Sequence, residues 1–145
     1  MNPRELVEHA LKLLIAKDMS AFAGLWAKTG VLEFPFAPPG YPQRLEGRAA
    51  VQEYLRGYPE IVDVREITEQ AVHQSVDPEV VIVEFEAAGV VVATGAPYRL
   101  RYIAVITARD GEIQHYRDYW SPLAVAEAMG GVDELMAGFA GGPRG

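Results

Sequence analysis

Residues 98–120 read YRLRYIAVITARDGEIQHYRDYW. The two halves, Tyr98 to Arg109 and Glu112 to Trp120, are rich in Tyr, Ile, Val and Thr, residues that suit a pleated, half-buried surface. Asp110-Gly111 between them is a turn dipeptide, so the halves are expected to pair as an antiparallel hairpin. Upstream, Val62 to Val76 and Val80 to Ala93 have the same composition. They are separated from each other by Asp77-Pro78, and from residues 98–120 by a break at Thr94 to Pro97 that contains Gly95. The second half of the chain therefore reads as four consecutive strands.

The first half carries helix signals. Asn2 is a good N-cap, Pro3 fits the first helical position and Glu5 completes a capping box, with Leu6, Ala10, Leu13 and Leu14 at helical spacing behind it. Asp18 caps a second, short helix with the stripe Met19, Phe22, Leu25 and Trp26. Gly30 is expected to end that unit and Val31 to Phe36 to form a strand. Pro38, Pro39 and Pro42 make 37–43 a loop. A third helix from about Gly47 presents Val51, Tyr54, Leu55 and Tyr58 and is broken by Pro59. After the strands, Ser121-Pro122 opens a short helix from Leu123 to Met129 that Gly130-Gly131 stops. A last amphipathic piece, Asp133 to Phe139, leads to a frayed tail at 140–145. Residues 1–145 read as one domain, with no internal repeat or linker. Helices followed by consecutive strands define an α+β fold. The economical packing is a strongly curved antiparallel sheet with the N-terminal helices on its concave face, leaving a mouth for a small molecule.

Composition narrows the chemistry. The chain has 145 residues, half of them hydrophobic and 23% charged, and no cysteine. Disulfide scaffolds, cysteine nucleophiles and iron–sulfur sites are thereby excluded, and no metal-ligand spacing occurs. Thirteen Lys and Arg against twenty Asp and Glu leave a net charge of −7 without a basic stripe, which argues against nucleic acid. The stretch from Ala87 to Tyr98 is too short for a membrane span, and Met1 to Glu8 carries charges with no apolar signal core behind it, so a cytoplasmic protein is expected. No glycine-rich phosphate loop and no Gly-x-Ser-x-Gly elbow is present.

The candidate chemistry centres on the last strand. Alternation sends Gln114, Tyr116, Asp118 and Trp120 to one face and His115, Arg117 and Tyr119 to the other. A carboxyl between two aromatics in an apolar pocket has its pKa raised and can exchange a proton near neutral pH. The competing reading pairs Asp118 with Arg101 or Arg99 on the neighbouring strand, or has it cap the helix after Pro122. His73 is the candidate second proton-transfer group and Tyr116 a candidate oxygen-polarising phenol. Trp26, Phe34, Tyr54, Tyr58, Tyr102, Trp120 and Arg101 are expected to line the pocket. Glu84 and Glu86 read as a solvated strand face, Glu33 as a residue that could look into the cavity, and His9 as a packed helix residue.

Several motifs together resemble a known family. These are Leu32-Glu33-Phe34-Pro35, the helix Glu46 to Leu55, Asp77-Pro78 before a strand, and the ending Tyr116-Arg117-Asp118-Tyr119-Trp120-Ser121-Pro122-Leu123. The chain resembles the SnoaL-like polyketide cyclase and PhzA/PhzB-like proteins of the ketosteroid isomerase and nuclear transport factor 2-like superfamily, over nearly its whole length. The resemblance implies a cone-shaped α+β fold, a hydrophobic pocket, no cofactor and a homodimer formed through the sheet. It also implies that Asp118 takes the place of the family's acid/base carboxyl. Ketosteroid isomerase carries an acid just before the strand-ending proline, where this chain has Phe34. The function expected is a cofactor-independent cyclase or isomerase acting on a hydrophobic cyclic or polyketide-like molecule. The alternatives are a non-catalytic carrier of an apolar ligand and an assembly subunit with an incidental pocket.

Overall fold

In α1 (Pro3–Ile15) the Asn2 backbone N–H donates to Glu5 Oε1 (3.0 Å) and the Glu5 N–H donates to Asn2 Oδ1 (2.8 Å), so two otherwise orphaned amides are satisfied at the helix start. The computed structural model describes residues 1–130. The amphipathic piece at 133–139 and the tail at 140–145 lie outside the described residues. The buried stripe of α1 is Leu6, Val7, Ala10 and Leu11, packed on three strands, β3 (Val62–Gln74), β4 (Val80–Val91) and β5 (Pro97–Arg109). Each such side chain contributes roughly 1.5–3 kcal/mol when fully buried. Asp18 caps α2 (Met19–Ala23) by accepting from the Ala21 N–H at 3.0 Å.

The strand after α2 begins earlier than the residue pattern suggests. β1 (Trp26–Glu33) contains both Trp26 and Gly30, so Gly30 is a strand residue and not a helix end. The reason is steric: a Cβ on Gly30 would stand 2.6 Å from the Ile113 carbonyl oxygen and 2.9 Å from Trp26 Cδ1. The glycine is there for close backbone approach. A short strand β2 (Arg44–Glu46), which the proline loop conceals, pairs antiparallel with β1. α3 (Arg48–Arg56) ends at Gly57, and Pro59 takes a first-turn position in α4 (Tyr58–Ile61) instead of breaking a longer helix.

The sheet has the order β2-β1-β6-β5-β4-β3, with β6 spanning Glu112–Trp120. From β3 to β6 each strand pairs antiparallel with the next, as the turn dipeptides imply. β1 runs parallel to β6, so the sheet is mixed and not purely antiparallel. No local signal could reveal this, because the two strands are far apart in sequence. Bulges interrupt β3 between Val64 and Glu66 and between Ile67 and Glu69, and the β5–β6 register shifts at Thr107/Ala108. Such irregularities bend the strand and increase its twist. After β6, Ser121 accepts from the Ala124 N–H (3.2 Å) and starts α5 (Pro122–Ala128). One face of the sheet, carrying Val81, Val83, Phe85, Leu100, Ala104 and Ile106, forms a single core with α1 and α2. Among the described residues no helix is long and apolar enough to cross a membrane.

Gly89 tests the tightness of the β3–β4 contact. It pairs with Val64 beside the first bulge, and a Cβ there would lie 1.9 Å from the Asp63 carbonyl oxygen. Gly89→Ala is expected to lower the urea-unfolding free energy by roughly 2–4 kcal/mol, because backbone must move to admit the methyl group.

Candidate functional site

Strand β6 is paired on both edges, which leaves its side chains only the two faces of the sheet. Tyr116, Asp118 and Trp120 point to the core side, where they line a cavity of about 890 Å3. That volume lies in the range of small-molecule sites, roughly 300–1,000 Å3. The opposite wall comes from the helices, with Leu14, Tyr54, Leu55, Val125 and Met129. Trp26, Phe34, Tyr54, Tyr58, Tyr102 and Trp120, all expected from the sequence, line the cavity.

Other expected residues lie elsewhere. His73 stands on the outer face of β3, where its Nε2 is 2.7 Å from Glu84 Oε2 with both side chains about half exposed. It is not a pocket residue. Val62, Val64 and Val72 turn inward on this strand, the two bulges between them cancelling, so His73, one residue on from Val72, turns outward. Arg101 is also outside the cavity: it faces outward and pairs with Glu69 (2.8 Å) and Glu86. Glu33 faces away from its cavity-lining neighbours Leu32 and Phe34 and is paired with Arg44 (3.2 Å) and His115. Glu86 is not solvated: it is only 8% exposed and accepts from Thr68 Oγ1 at 2.6 Å while facing Arg99 and Arg101. Those contacts hold its carboxyl below the usual range, the Thr68 hydrogen bond first and the Arg99 bond second. His9 is half-buried on α1.

The pairing of Asp118 with Arg99 or Arg101 is not formed. Across the ladder Asp118 faces Ala104, whose side chain offers no donor, and both arginines point to the other side of the sheet. Asp118 Oδ1 is out of contact with solvent and has no hydrogen-bond partner among the described residues. Burial alone pushes its carboxyl up to about 7. Tyr116, two residues earlier on the same face, is stacked on Trp26 with ring centroids 5.3 Å apart. Burial, followed by the Asp118 charge, pushes its phenol far above the ordinary value, so it stays protonated as a donor. Around this pair the other phenols bond to one another: Tyr41 with Tyr54, Tyr98 with Tyr102, and Tyr58 with Tyr102 at 3.5 Å. Burial raises them all.

Tyr41 and Tyr98, which the sequence offers only among the aromatics of which several could line a site, do line the cavity, and so does Phe85, which sequence reasoning passed over. Tyr98 shares the alternation of Tyr102 on β5, and Phe85 that of Val83 on β4, so strand periodicity held the signal for both. Tyr41 lies in the proline loop, where no periodicity applies. Among the described residues no group of three or more His, Asp or Glu is placed to hold a metal ion.

A mixed sheet with helices laid on one face over an apolar cavity is the architecture of the ketosteroid isomerase-like, nuclear transport factor 2-like fold. The chain belongs to the SnoaL-like domain family, whose model matches residues 7–116. It is 45% identical over 127 residues to the uncharacterized protein YesE of Bacillus subtilis, covering 88% of this chain and 86% of that one. It is 41% identical over 133 residues to an uncharacterized PhzA/B-like protein of Pseudomonas aeruginosa, covering 92% and 94%. A crystal structure from Bacillus subtilis, named as that of a candidate isomerase, superposes with a TM-score of 0.84 at 44% identity, covering 91% and 98%. Two more distant structures share the fold. One is a candidate polyketide cyclase of Pseudomonas putida (TM-score 0.77, 21% identity, 88% and 98% covered). The other is a protein of ketosteroid isomerase-like fold from Catenulispora acidiphila in complex with trimethylamine (TM-score 0.72, 18% identity, 91% and 96% covered).

The raised Asp118 carboxyl has a consequence for stability. The folded state holds this proton up to about pH 7, whereas the unfolded chain loses it near pH 3.8. Its contribution is therefore fully present below the unfolded pKa and is lost as pH rises through 7, a swing on the order of 4 kcal/mol. Asp118→Asn removes the ionisable group. Its stability gain over the parent protein should be only about 1 kcal/mol at pH 4.5 and grow to about 4 kcal/mol at pH 8, read by urea unfolding at both pH values.

Proposed function

We propose that the protein is a cofactor-independent acid/base enzyme, of isomerase or cyclase type, acting on a hydrophobic cyclic or polyketide-like molecule held in the cavity. The observation that carries this reading is the unpaired, enclosed Asp118 carboxyl on an apolar wall beside the protonated Tyr116 phenol. A carboxyl with a pKa of about 7 is divided between acid and base at neutral pH, the condition for efficient proton transfer. As base, Asp118 takes a proton from the carbon beside a substrate carbonyl. Tyr116 donates a hydrogen bond to the oxygen as negative charge builds there. Asp118 then returns the proton at another carbon, which completes an isomerisation. In the cyclase variant the carbanion attacks a second carbonyl instead, and Asp118 returns its proton to the alkoxide oxygen that forms there. The dry aromatic wall strengthens both contacts by excluding water.

The test uses a bicyclic β,γ-unsaturated ketone, whose shift into conjugation is followed by ultraviolet absorbance. Asp118→Asn should slow turnover by roughly 10²–10⁴-fold and Tyr116→Phe by on the order of 10²-fold. In the parent protein the rate should rise with pH through about 7 as the base form appears. Turnover that survives Asp118→Asn unchanged defeats the reading and leaves a carrier for an apolar ligand.

The same reading includes a homodimer formed through the outer face of the sheet in a cytoplasmic setting. Ile103 (44% exposed) and Phe36 (61% exposed, packed on Tyr119 with centroids 5.1 Å apart) leave apolar surface there. Sedimentation at micromolar concentration should give twice the chain mass, and a monomer removes the dimer.

A further inference from the structure

The charged residues on the cavity wall are unevenly divided. Among the described residues the lining contains three carboxyls, Asp118, Glu53 and Glu60, and one cation, Arg56. Arg56 is already engaged, its Nη1 2.9 Å from Glu53 Oε2. The arginines nearest in sequence to the lining tyrosines of β5, Arg99 and Arg101, lie on the other face of the sheet and are held by Glu86 and Glu69. A carboxylate or phosphate entering this cavity finds no free partner and meets like charge. A cation meets the opposite.

The surroundings of Asp118 suit a cation in a second way. Trp120 follows it on the same strand face, with Tyr41 edge-on to Trp120 at 5.1 Å and Phe34 at 6.1 Å, and Tyr54 lies 5.2 Å from Phe34. Tyr41, Tyr54, Phe34 and Trp120 line the same cavity as Asp118. Aromatic faces attract an ammonium, more strongly when water is excluded. The Tyr41 and Tyr54 hydroxyls are bonded to each other, whereas Asp118 Oδ1 is enclosed and has no partner. An unpaired buried carboxyl is costly, and a bound ammonium supplies both the charge and the donors that it lacks.

We propose that the cavity selects cyclic apolar molecules that carry an ammonium nitrogen, with the Asp118 carboxylate as its partner and the rings of Trp120, Tyr41, Phe34 and Tyr54 as its cage. This deepens the proposed function by naming the ligand class. It rests on the reading of the cavity as a ligand site and does not require turnover.

Three probes of one size separate the possibilities in calorimetric titrations of the full chain at pH 8: 2-(2-naphthyl)ethylammonium, 2-(2-naphthyl)ethanol and 2-naphthylacetate. The ammonium should bind at least tenfold more tightly than the alcohol, and the acetate should bind most weakly. In Asp118→Asn the ammonium should lose its advantage, so that ammonium and alcohol come within about twofold of each other. Equal binding of ammonium and alcohol to the parent protein, or tightest binding of the acetate, overturns the amine preference and leaves the cavity reading standing. Failure of all three probes to bind overturns both.

Discussion

The constraint on which the rest of this structure depends is the double pairing of β6. β1 bonds to one edge and β5 to the other, so no side chain of β6 can turn aside along the sheet. With a side-chain period of two, register then decides everything on the strand. In the observed register Tyr116, Asp118 and Trp120 face the cavity. A slip of one residue would place His115, Arg117 and Tyr119 there and turn Trp120 to solvent. The neighbours enforce the choice: Ile106 opposite Tyr116 and Ala104 opposite Asp118 are buried in the core.

Ala104 also explains why a carboxyl can remain unpaired. The cross-strand position that would ordinarily carry a donor holds a methyl group. The cations of β5 alternate to the far side, where Glu86 collects Arg99, Arg101 and Thr68. On the outer face His73 is thus paired with Glu84, and Arg99 and Arg101 with Glu86 and Glu69. The inner face keeps one carboxyl without compensation, against which the core of α1, α2 and the sheet supplies the offsetting burial. A local violation of polar pairing inside an otherwise consistent fold is the usual mark of a working site.

Much of this was legible in the residues. The alternation in Tyr116-Arg117-Asp118-Tyr119-Trp120 put the carboxyl between two aromatics, and the capping residues Asn2, Asp18 and Ser121 each start the helix expected of them. His73 lies on the outer face of β3 against Glu84, because Val72 beside it packs inward opposite Val83. Arg101 was assigned to the pocket although Tyr102, its neighbour, lines it; strand geometry forbids both on one face. Tyr41 could be read only as one aromatic among several, since the proline loop that delivers it to Trp120 has no repeating pattern.

What the sequence by itself determined is therefore local: which segments are helix or strand, where antiparallel hairpins turn, and that Asp118 shares a face with Tyr116 and Trp120. These follow from dihedral preference, capping and a period of two, all set by residues near one another in the chain. Only the tertiary structure decided that β1 lies parallel to β6, that Ala104 and no arginine faces Asp118, and that the helices close an 890 Å3 cavity over it. Those are contacts between residues far apart in sequence. Their pairing depends on how whole elements pack, and no local preference encodes that.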